Sequence, residues 1–254
     1  MNERRVVVIT GSNGGIGLEA ARALARENYH VVMNGRRPDV LEAAVEDVRA
    51  SVPDASVEGV ACDISVPEQA TALIEDAAAK HGRLDAFVSN AAWVRKKDFH
   101  ELTLEEWDAI FDVVLRGAAV CCMAAARIMV KQSYGRIVLV GSKSGGTADP
   151  GISPYDSAKA GLHGLGRAMA VDLAKFNINV NTVAPGWVWT PMLARFRAGS
   201  HRFLETLNPV KRAGESEEIA EVIRFFVVSA PLYLTGQTLY VDGGETVMAN
   251  LYYE

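Results

Sequence analysis

Short runs of apolar and β-branched residues recur along the chain and alternate with longer segments in which alanine, leucine and glutamate recur at helical spacing. The runs lie at Arg5–Thr10, His30–Asn34, Ser56–Ala61, Leu84–Ser89, Arg136–Val140, Asn179–Ala184 and Thr238–Val241. Strands that alternate with helices indicate βαβ units, in which the strands are parallel and helices cover both faces of the sheet. The pattern therefore predicts an α/β fold with a seven-stranded parallel sheet.

Helix starts and linkers define the organisation of the chain. Ser65–Glu68 and Thr103–Glu106 both fit a capping box, in which a hydroxyl and a carboxylate satisfy free backbone donors. No Pro-, Gly- or Ser-rich linker and no internal repeat interrupts the alternation, so we expect one domain over residues 1–254. A polar, arginine-rich segment at about 190–210 breaks the rhythm after Pro191, and we expect a substrate lid there.

Composition narrows the class of protein. With 254 residues, 49% of them hydrophobic and 22% charged, the chain has ordinary globular values. The net charge of -5 argues against binding to nucleic acid or to an anionic membrane surface. The three cysteines lack CxxC spacing and the five histidines are scattered, so we predict neither a disulfide framework nor a metal site. No apolar run approaches a membrane span or a signal-peptide core, and we expect a cytoplasmic protein.

Tyr155 and Lys159 carry the most informative chemistry. They lie four residues apart, so on a helix their side chains share one face. A tyrosine has a pKa of about 10 and needs a nearby cation to exchange protons at neutral pH. A hydroxyl such as that of Ser142 can hydrogen-bond the same substrate oxygen. This set suits the interconversion of an alcohol and a carbonyl, although a Tyr and a Lys at this spacing also occur on many solvated helices.

A glycine-rich turn, Thr10-Gly-Ser-Asn-Gly-Gly-Ile-Gly17, follows the first predicted strand and opens a helix. Glycines at such a junction allow positive φ and let the backbone approach a pyrophosphate held at the helix N-terminus. The predicted cofactor contacts from this turn are Gly11, Ser12, Asn13, Gly15, Ile16 and Gly17. Its spacing differs from G-x-G-x-x-G, and it supports a dinucleotide site through its place after a strand and before a helix.

The glycine turn, Ser142 and Tyr-x-x-x-Lys together resemble the short-chain dehydrogenase/reductase family, in the branch of the 3-oxoacyl-acyl-carrier-protein reductases. Further positions agree in order and spacing: Asp63-Ile64, Asn90-Ala91-Ala92, Pro185-Gly186, Thr190 and Asp242-Gly243-Gly244. The match covers nearly the whole chain. It implies a single-domain, Rossmann-like doubly wound parallel sheet with helices on both faces.

The resemblance also implies residue roles. Tyr155 is the general acid or base, Ser142 orients the substrate oxygen, and Lys159 both binds the nicotinamide ribose and lowers the Tyr155 pKa. The further implied cofactor contacts are Asp63 and Ile64 at the adenine, Asn90 near the ribose, and Pro185, Gly186, Val188 and Thr190. Asn90 could instead be a strand-end turn former and Thr190 a helix N-cap before Pro191.

The end of the second strand bears on cofactor choice. Gly35 stands where relatives that use NAD carry an acid, and Arg36 is a candidate partner for the 2′-phosphate of NADP. Asn13 and Gly14 stand where NADP-using relatives often carry a basic residue. We therefore predict NADP, with NAD as the alternative.

Several positions depart from the family pattern. Val114 occupies the place of a usual asparagine whose backbone holds a water in the proton relay, and valine lacks the amide's hydrogen bonds. Gly141 and Lys143 flank Ser142, and we expect Lys143 to point into solvent. The expected substrate walls are Ala92–Val94, Gly145–Ile152 and Trp187–Trp189, with Trp187 and Ser142 as substrate contacts. An indole at this mouth would stack on a flat or cyclic substrate or pack the lid.

Three functions remain open at this stage. The first is an NADPH-dependent ketoreductase acting on a small-molecule carbonyl or alcohol. The second is a cofactor-binding protein that has lost turnover, and the third is an isomerase or epimerase on the same fold. The resemblance also implies a homotetramer or homodimer, formed through the long helices after strands four and five and the C-terminal segment.

Overall fold

The structure is a computed structural model that describes residues 4–194 and 208–248. Its strands are β1 (Val6–Ile9), β2 (His30–Gly35), β3 (Ser56–Ala61), β4 (Ala86–Ser89), β5 (Gly135–Val140), β6 (Ile178–Pro185) and β7 (Thr238–Val241). Its α-helices are α1 (Gly15–Arg26), α2 (Pro38–Ser51), α3 (Pro67–His81), α4 (Leu104–Phe111), α5 (Ala118–Gln132), α6 (Ser153–Leu173), α7 (Pro191–Ala194) and α8 (Ser216–Arg224). These elements agree with the predicted strands to within two residues at most ends.

The seven strands form one parallel sheet in the order β3-β2-β1-β4-β5-β6-β7. The strand order reverses between β1 and β4, and in such sheets ligands bind outside the carboxyl ends of the strands near this point. Strands β1, β4, β5 and β6 are buried along their whole length because helices cover both faces. The predicted doubly wound fold is confirmed.

Two hydrophobic layers hold the sheet between the helices. One joins α1, α2 and α8 to one face, around Leu24, Val45 and Ile223. The other joins α3, α5 and α6 to the opposite face, around Phe87 and Met129. Each layer buries many aliphatic side chains, each of which stabilises the fold by about 1.5–3 kcal/mol. The strand ends are thereby fixed as a rigid edge.

One predicted helix start is correct and the other is wrong. Thr103 accepts from the Glu106 amide and Glu106 accepts from the Thr103 amide, so this capping box is confirmed. Helix α3 instead begins after Val66, without a side-chain cap. The Ser65 amide and hydroxyl both donate to Asp63, at 2.9 and 2.8 Å, so the amide is bonded to Asp63 instead of the Glu68 carboxylate.

The helical stretch from α4 through α5 corrects a second expectation. Residues 104–132 are long and apolar enough, by length and composition alone, to cross a membrane, although the sequence analysis found no such stretch. Half of that apolar window is buried inside the protein, where Cys121, Cys122 and Met129 pack against the sheet. This is the behaviour of a core helix. Of the predicted lid at 190–210, residues 195–207 lie outside the described residues.

Candidate active site

One cavity of about 1370 Å³ opens at the carboxyl ends of the strands. The predicted site residues that line it are Gly11, Asn13, Gly15, Ile16, Arg36, Asp63, Ile64, Asn90, Ser142, Tyr155, Lys159, Pro185, Gly186, Trp187, Val188 and Thr190. Ser12 and Gly17 do not line it. The volume exceeds that of a typical small-molecule pocket, as a dinucleotide plus a substrate requires.

The glycine turn between β1 and α1 is held tightly against the next strand end. Gly11 has φ of 61°, and a Cβ there would lie 2.7 Å from the Ala91 Cα. A Cβ on Gly17 would lie 2.6 Å from the Asn90 amide nitrogen. The Ser12 side chain is buried and donates to the Ile9 carbonyl, so it supports the turn from beneath. Only glycine fits these close approaches.

Two asparagines fix the turn from either side. Asn90 Nδ2 donates to the carbonyls of Thr10 and Gly11, at 3.0 and 2.8 Å. Asn34, which the sequence analysis did not select, donates to the Val60 carbonyl at 3.1 Å and accepts from the Gly11 amide at 3.4 Å. An amide at the buried end of β2 was the available sequence signal. Asn90 is therefore both a cavity-lining residue and a turn-holding one.

The start of α1 fits a dinucleotide pyrophosphate. Its N-cap is Gly14, and no side chain caps the first turn. Gly14, Gly15 and Ile16 line the cavity, and the free amides of a helix N-terminus together with the helix dipole favour an anion. The glycine turn thus offers space, close backbone approach and donors at one place.

The end of β2 presents cations and no acid toward the cavity. Gly35 and Arg36 both line it, and the Arg36 side chain is 65% exposed. Its guanidinium lies 3.7 Å from Asp63 Oδ2. Burial raises the Asp63 pKa, but the Ser65 hydrogen bonds and Arg36 outweigh it and hold the pKa below its usual value. Asp63 is therefore ionised and keeps Arg36 near the rim.

Ser142, Tyr155 and Lys159 meet on the opposite wall. Ser142 lies two residues after the end of β5 and caps a short 3-10 helix. Its hydroxyl accepts from the Ser144 amide at 3.1 Å. Helix α6 presents Tyr155 and Lys159 one turn apart, with the Lys159 Nζ 5.5 Å from the phenol ring centroid. Lys159 Nζ also donates to the Val140 carbonyl at 2.6 Å. The predicted juxtaposition of the three side chains is present.

Burial sets the protonation of this pair. It raises the pKa of Tyr155 to about 12, and a hydrogen bond with Ser142 opposes the shift only in part. Burial also lowers the pKa of Lys159 to about 7. The sequence analysis expected Lys159 to lower the Tyr155 pKa, but in this structure desolvation is the largest effect on both groups. The resulting pair is a neutral phenol beside an amine that changes charge near neutral pH.

His163 of α6 lies behind Ser142, and the sequence analysis gave it no functional role. Its Nε2 accepts from the Ser142 amide at 3.4 Å. A Cβ on Gly141 or Gly145 would lie 2.3 or 2.2 Å from the imidazole. Burial, with a smaller contribution from Lys159, lowers the His163 pKa to about 4, so the ring is neutral. The unusual glycine before Ser142 is explained by this packing.

Lys143 does not point into solvent, so that expectation is wrong. The residue is 7% exposed and lines the cavity. Its Nζ donates to Glu245 at 2.6 Å and to Asp149 at 3.1 Å, and it lies 5.5 Å from the Trp187 ring centroid. Burial lowers its pKa, but the two carboxylates outweigh that effect and raise it. Lys143 is a fixed charge in the substrate wall.

Apolar side chains complete the cavity. Val114 is 1% exposed and packs with Ile110 and Ala158 against the Tyr155 ring, within a π-helical turn. Trp187 and Trp189 both line the cavity and pack on Leu193, so the stacking and lid-packing predictions are compatible. The phenol ring thus packs on one side against apolar side chains.

A parallel sheet with a glycine turn at its switch point, facing a buried Ser, Tyr and Lys, defines a dinucleotide-dependent oxidoreductase site. The sequence matches the family described as enoyl-(acyl carrier protein) reductase over residues 11–246. The chain belongs to the short-chain dehydrogenase/reductase family. It is an oxidoreductase that acts on CH–OH or C=O groups.

Relatives and solved structures agree over nearly the full length. The chain is 37% identical over 247 residues to cis-4-hydroxycyclohexanecarboxylate dehydrogenase of Sinomonas cyclohexanicum, covering 96% of this chain and 97% of the relative. It is 35% identical over 242 residues to 3-oxoacyl-[acyl-carrier-protein] reductase of Synechocystis sp., covering 94% and 96%. The structure of F189W actinorhodin polyketide ketoreductase with NADPH has a TM-score of 0.92 at 28% identity, covering 97% and 98%.

Proposed function

We propose that the protein is an NADPH-dependent ketoreductase that interconverts a small-molecule ketone and a secondary alcohol. The observation that carries the proposal is the position of Ser142, Tyr155 and Lys159 on one wall of the cavity, with the glycine turn on the other. The cofactor, when bound, supplies or accepts the hydride. The residues of this chain orient the substrate oxygen, exchange its proton and exclude water.

The proton chemistry favours reduction at neutral pH. Tyr155 is protonated, because its pKa lies at about 12, so it can donate its phenolic proton to the oxygen of a carbonyl under reduction. Ser142 lies beside it and can hydrogen-bond the same oxygen. Lys159, with a pKa of about 7, can carry a proton near the phenol or release it. In the oxidative direction Tyr155 would act as the general base in its phenolate form, its own proton having passed to the neutral Lys159 amine, while Ser142 again only orients the oxygen.

NADP is the proposed cofactor. The absence of an acid at Gly35 and the exposed Arg36 at the cavity rim support recognition of a 2′-phosphate, because a guanidinium binds phosphate oxygens bidentately. Binding would draw Arg36 away from Asp63, which is only 3.7 Å from it. Asp63 and Ile64 would then lie beside the adenine. The NADPH-bound ketoreductase structure is consistent with this choice.

A cyclic or flat ketone is the proposed substrate class. Trp93, Trp187 and Trp189 all line the cavity, and indoles stack well on planar or alicyclic rings. The relative named for a hydroxycyclohexanecarboxylate acts on a ring. The Lys143 charge is already paired with two carboxylates, which favours a substrate whose ring is neutral near that wall.

The proposed assembly is a homodimer or homotetramer in the cytoplasm. Met123 on α5 and Val171 on α6 are 51% and 81% exposed, although both are apolar. Apolar side chains on two adjacent long helices support contact with a second copy. Light scattering of the purified chain tests this, and a monomer at micromolar concentration would overturn it.

Turnover separates the three candidate functions. NADPH absorbance is followed with a panel of cyclic, linear and acyl-thioester ketones, and Tyr155→Phe is the matched variant. We expect consumption with at least one ketone and a loss of about 100-fold or more in kcat/KM in the variant. NADPH binding without turnover on any ketone would favour the cofactor-binding protein, and product formed without net NADPH change would favour the isomerase.

Cofactor choice is tested separately with Arg36→Asp. Removal of the guanidinium and addition of a carboxylate should raise KM for NADPH and lower it for NADH, because the acid can bond the ribose 2′-hydroxyl. The kcat at saturating cofactor should change little. Arg26→Asp, at the C-terminal end of α1 away from the cavity, is the charge-matched control. If the ratio of kcat/KM for NADPH to kcat/KM for NADH is the same in wild type and Arg36→Asp, the NADP assignment is overturned.

A further inference from the structure

Three residues that are far apart in the sequence meet at the amino edge of the sheet, away from the cofactor cavity. His30 begins β2, Glu58 lies in β3, and His81 ends α3. His81 Nε2 lies 2.9 Å from Glu58 Oε1, and His30 Nε2 lies 3.5 Å from the same oxygen. The three donor atoms all lie within 4.8 Å of one another. Their strand positions explain the meeting, since Val32 is the register partner of Glu58 and places it on the same face as His30.

The surroundings of His30 leave one ring nitrogen facing the Glu58 carboxylate. Its Nδ1 lies 2.7 Å from the Ser56 hydroxyl. Its Nε2 is buried and makes no hydrogen bond to any part of the chain that the structure describes. When Nδ1–H donates to Ser56, Nε2 presents a lone pair toward the Glu58 carboxylate. In that tautomer a cation between Nε2 and Oε1 would be favourable, whereas in the other tautomer Ser56 donates to Nδ1 and an Nε2–H faces Glu58.

The surrounding charges suit a metal ion. Burial raises the Glu58 pKa, but hydrogen bonds from His81 and Lys80 outweigh it and lower the pKa to about 2. Glu58 therefore brings a negative charge to the two imidazoles. Lys80 pairs with the other oxygen, Oε2, and leaves Oε1 available.

We propose that His30, Glu58 and His81 form a zinc site at this edge. Two imidazole nitrogens and one carboxylate oxygen are a common three-ligand set for Zn²⁺, and water completes the tetrahedron. Neighbouring ligands of tetrahedral zinc lie about 3.3 Å apart at the usual bond lengths. Two donor separations of this cluster are already 2.9 and 3.5 Å, and the third lies within 4.8 Å. Zinc would displace any proton that His81 Nε2 shares with Glu58. Ser56 orients His30 from behind, as a hydrogen-bonded partner of a ligand does.

The site has a structural consequence. A bound ion would tie β2, β3 and the end of α3 together at the edge strand of the sheet. Arg36 lies six residue steps after His30, which corresponds to about 20 Å between the zinc site and the cofactor end of β2. The ion would therefore stabilise the fold without taking part in the reaction.

Zinc titration of the tag-free, chelator-treated full-length chain tests the proposal. By calorimetry we expect about one equivalent of Zn²⁺ to bind, and the Tm to rise on its addition. His30→Gln and His81→Gln should each weaken binding more than about tenfold, and Ser56→Ala about tenfold. His100→Gln, which removes an exposed histidine elsewhere, is the matched control and should bind as the wild type does.

Fold integrity is checked in each variant by circular dichroism and by the Tm without metal. Binding of Co²⁺ in place of Zn²⁺ should give the visible absorption of a tetrahedral site in the wild type and lose it in His81→Gln. No binding to the wild type, or equal binding by the wild type and folded His30→Gln, would overturn the proposal. In that event the three side chains form only an ion-pair cluster around Glu58 and Lys80.

Discussion

Two buried lysines line the same cavity and have opposite environments. Lys159 is 2% exposed and its Nζ donates to the Val140 carbonyl, with burial as the cause of its lowered pKa. Lys143 is 7% exposed and is held by Asp149 and Glu245, which raise its pKa. The first lysine can change charge near neutral pH, whereas the second stays charged.

The two lysines therefore have different roles in one site. A buried amine without a carboxylate partner lowers the stability of the fold, and functional sites often contain such groups because catalysis needs a side chain that can change its protonation. A buried ion pair fixes geometry and depends on both partners remaining in place. Lys159 and Lys143 thus differ in protonation behaviour because different side chains pack around them.

The largest effect is expected on removal of Lys159. Lys159→Met should lower kcat by about 100-fold, because the phenol of Tyr155 loses its nearby amine. It should also stabilise the fold near neutral pH, since it replaces a desolvated amine with an apolar side chain. Activity by NADPH absorbance and stability by urea unfolding, measured on the same preparation, check both halves.

The pH dependence of that stability has a definite sign. The lysine pKa is about 7 when folded and about 10.4 when unfolded, so the unfolded chain binds more protons between these values. Wild-type stability relative to Lys159→Met should therefore rise from about pH 7 to about pH 10. A constant difference across this window would show that Lys159 is not desolvated.

Removal of Lys143 should have the opposite balance of effects, with a large loss of stability and a smaller loss of activity. Lys143→Met leaves Asp149 and Glu245 without their cation, so the free energy of unfolding at neutral pH should fall by about 3 kcal/mol, with a smaller loss of kcat than in Lys159→Met. Burial already raises the Glu245 pKa against the effect of Lys143. The variant's deficit should therefore shrink at acidic pH, where the stranded Glu245 carboxylate binds a proton.

A double variant sharpens the test of the ion pair. Lys143→Met with Glu245→Gln removes one carboxylate charge together with the lysine, so part of the stability should return. Urea unfolding of wild type, both single variants and the double variant gives the coupling energy. Additive effects would mean that the two side chains do not interact in solution.

The smallest effect is expected at Val114, which packs beside Tyr155. Val114→Asn places an amide in the apolar cluster of Ile110 and Ala158, so unfolding should cost about 1–3 kcal/mol less. The kcat should change by less than about threefold across pH, because hydride-transfer groups are untouched. Val114→Ala controls for volume. A displaced limb of the kcat–pH profile in Val114→Asn alone would show that the position joins the proton relay.

Much of the fold was predictable because its signals are local. The apolar runs that became β1 to β7 and the glycine turn before α1 depend on neighbours in the sequence. The Thr103 capping box also needs only four consecutive residues, and it formed. The Ser65 box did not form because the Ser65 amide donates to Asp63, outside the four-residue pattern, and helix α3 begins after Val66.

The sequence by itself determined the strand–helix alternation, the glycine turn, and the i, i+4 placement of Tyr155 and Lys159, since each follows from local periodicity and backbone geometry. Tertiary structure alone decided which charged side chains are buried and which groups they contact. Lys143 finds Glu245 about a hundred residues away, and His30 finds Glu58 and His81 through strand register and the end of a helix. A pKa depends on desolvation and on neighbours in space, and the linear pattern contains neither.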